Sequence, residues 1–467
     1  VKNLLIASAV AAALYLPVGA HAAAPTTTSD LAQIREQLQG LMQRVDKLEQ
    51  ENSSLKSENE TLKTQTEKSK NETDYLKAET KGLRKDTANL QVDAGKVRGA
   101  DWATKVTLKG DLRYRYEMIK DDAASAAGVQ NTADRYRDRI RARFGADVKA
   151  TDNILLGFGF TTTEGDDPRS ANQTLTGVFS RKALDLDYAF FDWKFANGAD
   201  FIGGKMKQPF FKTTQSVLWD NDINPEGLAL TYSRGIFFGS VYNFWLNEVS
   251  GAPSTRTADA SVAGVQLGAK LPIGGSVLTL AAHYYDLSAA QFRSPFYVAP
   301  GATLGNGNAN GNTTCTVALC GGTAATPTLA FDYEIVNLTA EWNLNVGAYP
   351  LMLWADAAQN QAVDDLDNAW GAGFVFGKAS NPNTWEFGAS YQVVEKDSVF
   401  AQFIDSDFGG GVSDEQGYKL VAAYAPQRNF TLNGTYFIND RNKDVANAGG
   451  KTKVGYDRLQ LDFNVKF

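Results

Sequence analysis

Two hydrophobic periods divide the chain. From Leu31 to Leu90 a heptad runs unbroken, with Leu31, Leu38, Val45, Asn52, Asn59, Thr66, Thr73, Thr80 and Thr87 at the a positions. Ile34, Leu41, Leu48, Leu55, Leu62, Ser69, Leu76, Leu83 and Leu90 occupy d. A stripe confined to a and d is the seam of a coiled coil, whereas a helix packed on a globular core needs a broader apolar face. The polar Asn and Thr at a weaken the seam and fix register and strand number. At about 1.5 Å of rise per residue the rod is roughly 90 Å long.

Helical patterning stops between Gly95 and Ala103, and from Lys105 the period becomes 2. Val106, Leu108, Leu112, Tyr114, Tyr116 and Met118 share one face; Lys105, Lys109, Asp111, Arg113, Arg115 and Glu117 share the other. Comparable segments follow at Arg135–Lys149, Asn153–Thr163, Lys182–Phe195, Asp200–Met206, Gly227–Ser233, Ile236–Leu246, Ser261–Leu271 and Ser276–Leu287. After a long interval they resume at Asp332–Leu344, Pro350–Gln359, Ala369–Lys378, Thr384–Val394, Ser398–Phe403, Gly417–Ala425, Phe430–Asn439 and Val454–Phe467. Short connections such as Ala196-Asn197-Gly198-Ala199 alternate with long ones such as Ser288–Phe331. Strands that are apolar outside and polar inside, with short turns on one rim and long loops on the other, predict an all-β transmembrane antiparallel barrel. The segments number seventeen, and a single-chain bacterial barrel needs an even count; 16 strands is the expectation and 18 the alternative. A soluble β-sandwich also alternates, but it has no use for bulky aromatics on its outer face, as Trp385, Phe387 and Tyr391 would be here.

Composition sharpens this picture. The chain carries 42 Gly, 18 Tyr, 26 Phe and 8 Trp, yet mean hydropathy is only -0.30, as suits strands apolar on one face. A short basic start, the apolar run Leu4 to Val18 and the tripeptide Ala20-His21-Ala22 read as a cleaved signal peptide. The expected organisation is a signal peptide at 1–22, a coiled coil at 23–98 and a barrel at 99–467. In an exported chain, the two cysteines, Cys315 and Cys320, are expected to form a disulfide closing a surface loop.

The densest charge pattern is Arg135, Arg137, Arg139, Arg141 and Arg143 at alternate positions of one strand. Arginine facing hydrocarbon costs roughly 2–4 kcal/mol at the bilayer midplane, so the five are expected to line the lumen beside Arg113 and Arg115. There they either favour anions or are neutralised by Asp111, Asp185 and Asp187 in a structural network. The stretch after Lys205 lacks clean alternation and is polar while holding Trp and Phe; it is a candidate constriction loop, with Lys212, Trp219, Asp220 and Asp222 as its residues. Asp220 and Asp222 lack the glycine and the ligand set of a calcium loop, and Cys315 and Cys320 lack further metal ligands nearby, so no metal or other cofactor is expected. His283, the one histidine beyond residue 22, is expected to be a lone lumen residue facing water; no catalytic constellation surrounds it, and no enzyme activity is expected. Once the arginines face a lumen, no basic surface remains for nucleic acid.

The order of coiled coil and barrel, with Leu108-Lys-Gly-Asp-Leu-Arg-Tyr-Arg-Tyr, Gly204-Lys-Met-Lys-Gln-Pro-Phe210, Asp222-Ile-Asn-Pro-Glu-Gly227 and Phe403-Ile-Asp-Ser-Asp-Phe408, resembles the proteobacterial "putative porin" family over essentially the whole chain past residue 22. The resemblance implies a passive outer-membrane channel, usually a homotrimer, with its barrel in lipid. The end of the chain, Leu459, Leu461, Phe463, Val465 and Phe467 on one face, resembles the terminal strand of outer-membrane proteins, whose final aromatic is read by the barrel-assembly machinery. Small and charged inward residues, Gly157, Gly159, Asp185, Asp187, Glu386, Gly388, Ser390 and Gln392, predict an open bore. The alternative is a structural envelope protein whose barrel anchors a periplasmic rod, with peptidoglycan as the rod's candidate partner.

Overall fold

A computed structural model describes residues 28–96, 103–122, 134–165, 167–248, 250, 259–288, 290–295, 309–315, 320, 328–447 and 450–467. The proposed signal peptide lies outside the described residues. The chain divides between residues 98 and 99 into two units.

The first unit contributes helix α1, Thr28–Lys96. Along its leucine stripe Leu41, Leu48, Leu55, Leu62, Leu76 and Leu83 are all exposed. At the a positions Thr66, Thr73, Thr80 and Thr87, each hydroxyl donates to the carbonyl four residues back, on Leu62, Ser69, Leu76 and Leu83. The polar atom is thus satisfied inside the helix.

The second unit is a barrel. Its spanning strands are β1 Val106–Asp121, β2 Arg135–Lys149, β3 Ile154–Thr162, β4 Leu184–Ala196, β5 Ala199–Lys205, β6 Glu226–Arg234, β7 Phe237–Asn247 and β8 Ala260–Ile273. They continue as β9 Ser276–Leu287, β10 Tyr333–Val346, β11 Tyr349–Asn360, β12 Asn368–Gly377, β13 Thr384–Val394, β14 Glu415–Gln427, β15 Phe430–Arg441 and β16 Val454–Lys466. The sheet has 17 segments, one of them the two-residue piece Gln173–Thr174 laid beside β2, which leaves 16 spanning strands. Each strand pairs antiparallel with its neighbour, and β1 pairs with β16 from Asp111↔Lys466 to Asp121↔Tyr456, closing the barrel.

Ser398–Phe403, counted above as a strand, lies instead in the β13–β14 loop with Val399, Phe400, Ala401 and Phe403 buried. Its apolar residues are adjacent rather than alternate, so they suit a segment buried on every side. Five two-residue turns and two longer ones, residues 150–153 and 378–383, join the strands on one rim, where Gly198 and Gly274 take φ of +82° and +60°, the left-handed geometry that tight hairpins require. Outward side chains are apolar and exposed, among them Leu267, Leu338, Phe463 and Val241. Aromatics cluster toward the two strand ends: Trp385 against Tyr424 near the turns, and Trp370, Tyr391 and Tyr418 near the loops. This is the girdle arrangement of a lipid-facing wall.

Candidate functional site

Three connections on the loop rim turn into the barrel: L2 between β3 and β4, L3 between β5 and β6, and L7 between β13 and β14. L3 buries Met206, Val217, Leu218, Trp219 and Ile223 in an apolar cluster with Phe244, Tyr285 and Tyr333 of the wall and Val399, Phe400, Phe403 and Ile404 of L7. Trp219 stacks on Phe403 at 4.3 Å, and the Asp220 N–H donates to the Phe403 carbonyl at 2.6 Å. The loop end of the lumen along β6–β13 is therefore filled by apolar packing. His283 belongs to this region: it points inward, but not into water, being 4% exposed, hydrogen-bonded to the Tyr242 hydroxyl at 2.7 Å and packed against Phe210 at 4.9 Å.

The opposite side of the lumen is ionic. The two-residue period places the ladder of β2 inward and across from β1, in the order Asp111↔Arg143, Arg113↔Arg141, Arg115↔Arg139 and Glu117↔Arg137. Arg141 pairs with Asp111 at 2.7 Å, Arg143 with Asp222 of L3 at 2.8 Å, Arg139 with Glu164 of L2 at 3.4 Å, and Arg137 with Glu117. Arg135 is exposed at the loop end of the strand. Arg115 forms two bonds to Asp462 of β16, at 2.6 and 2.8 Å, and a third to Asp407 of L7 at 3.0 Å. Arg458 holds the other oxygen of Asp407 at 2.7 Å.

The carboxylates of β4 behave differently from one another. Asp187 accepts from Asn224 at 2.5 Å and stands 3.7 Å from Lys207 and 4.0 Å from Arg143, whereas Asp185 is exposed and joins none of the described ion pairs. A bulge in β4 opposite Gly159 and Phe160 shifts the register. Past it Tyr188 and Phe190 turn inward, and their rings cover Gly145, Gly157 and Gly159. Gly157 and Gly159 thus floor aromatic rings rather than open the bore.

L3 and L7 bring acids to the ladder. Burial would raise Asp222, but Arg143, Arg141 and Arg113 more than reverse that and hold its carboxyl at about 2. Two residues away, burial and then the neighbouring Asp405 and Asp222 push Asp220 well above the usual carboxylate range. Lys212 donates to the carbonyls of Trp219 and Asp220 at 3.0 and 3.2 Å, and burial lowers it to about 8 against the pull of the surrounding acids. Between the ladder and this edge lies a polar cavity of about 140 Å³, whose charged lining is Arg113, Arg141, Arg169 and Lys419 against Asp220, Asp222, Asp405 and Asp407.

Sequence reasoning missed Arg169, which crosses from L2 to donate to the carbonyls of Ala401 and Gly411 of L7, and also missed Lys419, Asp405, Asp407, Arg458 and Asp462. Alternation in the last strand could have found Arg458 and Asp462, which sit opposite the face of Leu459, Leu461 and Phe463; no local signal marks Arg169. Cys315 and Cys320 form a disulfide, and Thr328 donates to both of their carbonyls, at 3.2 and 2.7 Å. No group of three or more metal-type side chains converges among the described residues.

Among solved structures, OprB of Pseudomonas putida at high pH superposes with a TM-score of 0.51 at 15% identity, over 80% of this chain and 97% of that one. A loop L8 deletion mutant of OmpT, an outer membrane protein of Vibrio cholerae, gives a TM-score of 0.42 at 13% identity, over 78% and 99% of the two chains. At such identities the likeness of OprB is one of fold. A comparison with curated proteins gives no match. The family described as "Putative porin" matches residues 119–467, which take in the end of β1 and every later strand, and the chain belongs to that family.

Proposed function

We propose that the protein is an outer-membrane porin, a passive diffusion channel for small hydrophilic solutes and ions that prefers anions. The observation that carries this reading is the polar cavity between the arginine ladder and the L3–L7 edge, inside a closed barrel whose outer wall is apolar. Arg113, Arg115, Arg135, Arg137, Arg139, Arg141, Arg143, Asp185 and Asp187 are its lumen-wall residues, and Lys212, Trp219, Asp220 and Asp222 belong to its constriction. Preference for anions is favoured by Arg113 and Arg141 standing directly opposite one another in the register, with Arg141 paired to Asp111 at 2.7 Å and Arg113 no nearer than 3.9 Å to its described carboxylate neighbour, Asp462. The test is a planar-bilayer recording in a salt gradient: stepwise conductance with a reversal potential on the anion side is expected, and a cation-side potential would remove the preference.

A homotrimer with its rod in the periplasm, and recognition of Phe467 by the assembly machinery, complete the reading. Phe467 closes the barrel seam through mutual backbone bonds with Gly110, while its ring stays exposed. The apolar packing at the loop ends of β6–β13 favours the second reading, a barrel that only anchors the rod and through it meets peptidoglycan. Absence of any conductance from well-folded protein would support that reading instead.

A further inference from the structure

Around the polar cavity between the ladder and the L3–L7 edge, cations and carboxylates are equal in number but unequally engaged. Every carboxylate oxygen already accepts a hydrogen bond. Asp220 takes the N–H groups of Asp222 and Ser406, at 2.7 and 2.9 Å. Asp222 takes Arg143 and the Ala171 N–H, at 2.8 and 3.4 Å. Asp405 takes the Asp407 N–H and Lys419, at 2.8 and 3.5 Å, and Asp407 takes Arg458 and Arg115, at 2.7 and 3.0 Å.

Three of the four cations keep donors in reserve. Arg169 is fully engaged by two carbonyls and Asp167. Arg141 spends Nε and Nη2 on a single oxygen of Asp111. Lys419 has one long contact with Asp405 and lies 5.0 Å from the Phe437 ring. Arg113 bonds only the neutral Asn172, at 2.5 Å; its nearest carboxylate, Asp462, is 3.9 Å away and already held by two bonds from Arg115, and its Nε is buried without a partner. Like charges directly opposite in an antiparallel pair are destabilising, and the Arg113 side chain is only 12% exposed, so water does little to relieve its repulsion from Arg141. An anion between the two would use the idle donors and remove the repulsion together.

We propose that this cavity is a saturable binding site for a small oxyanion, a carboxylate or a phosphate, held by Arg113, Arg141 and Lys419. It rests on the channel reading and adds affinity to what would otherwise be bulk diffusion. Lys419, not part of the arginine ladder, becomes a specificity determinant.

Purified full-length protein in planar bilayers, carrying chloride current from KCl, tests it by titration with acetate, with inorganic phosphate and, as an uncharged control, with glycerol. Current is expected to fall along a saturating curve with at least one anion and not with glycerol, and the lower half-blocking concentration tells carboxylate from phosphate. Arg113→Gln and Lys419→Gln should each raise that concentration roughly tenfold, the scale of one lost charge-assisted bond. Conductance without saturation, equal block by glycerol, or half-block unmoved in Lys419→Gln would overturn the site and leave the channel standing. Lys419→Gln decides the matter even where Arg113→Gln fails to assemble. Absence of KCl conductance would sink the channel reading and the site with it.

Discussion

At the scale of single residues, the lumen is a set of compensated charges in which one substitution shifts the balance in a calculable direction. Arg141→Gln removes a cation and also strips Asp111 of its 2.7 Å partner, so the wall should become more negative and the reversal potential should move toward cations. An unchanged potential with normal barrel yield would make the ladder scaffolding. Lys212, lowered by burial to about 8 in L3 and surrounded by Asp220, Asp222, Asp405 and Asp356, gives a second expectation. It carries its charge below that value and loses it as pH rises through it, so anion preference should decline between about pH 7 and 9. Lys212→Gln should show the high-pH preference throughout; a pH-dependent wild type matched by an equally pH-dependent variant would assign the effect elsewhere. Alternation made the face of the ladder legible in the sequence. Of its partners, Asp111 and Asp187 were legible as well; the others were not, because Arg115 finds Asp462 347 residues away, and such pairings follow from barrel closure rather than from any local pattern. Nor could alternation foresee the β4 bulge, which turns Tyr188 inward beside Asp187.

At the scale of elements, L3 and L7 act as one body. Their shared core is the Trp219–Phe403 stack, braced by the bonds from Asp220 N–H to Phe403 and from Ser406 N–H to Asp220. Truncating a buried aromatic costs about 3–5 kcal/mol, and here the loss falls on the attachment of the loops. Trp219→Ala should therefore raise single-channel conductance and broaden its distribution while the strand signal in circular dichroism persists; conductance and noise equal to wild type would show that the loops are held without the stack. L5, between β9 and β10, touches the same body. Asn312 donates to the carbonyls of Lys396 and Val399 and accepts from the Ala401 N–H, all within 2.9 Å. The disulfide three residues on ties this segment back through Thr328. Labelling by a membrane-impermeant maleimide is expected only after reduction, and free thiols in fresh protein would refute the bond. L7 was misread as a strand because Val399, Phe400 and Phe403 are as apolar as any lipid-facing run. What separates the two is context, since a buried loop packs on all sides and a strand on one.

At the scale of the molecule, the change of period marked where helix gives way to strand and, with the even-number constraint, narrowed the strands to 16 or 18; it could not say what covers the leucine stripe of α1. That stripe is exposed over Leu41, Leu48, Leu55 and Leu62, and a helix of 69 residues owes most of its stability to packing of its apolar face. The a-position threonines bond their own helix, so closing a seam over them leaves no buried hydroxyl unpaired. Each leucine buried at d contributes about 1.5–3 kcal/mol per helix. We therefore expect native mass spectrometry of the full chain to give three copies, and Leu41→Lys, Leu55→Lys and Leu62→Lys together to abolish the helical signal in circular dichroism while strand signal and bilayer conductance persist. If the parent were a single copy with its helical signal intact, the seam would have no partner within its own kind. If instead the triple variant kept its helix, the rod would be stable alone and the heptad would serve some other surface.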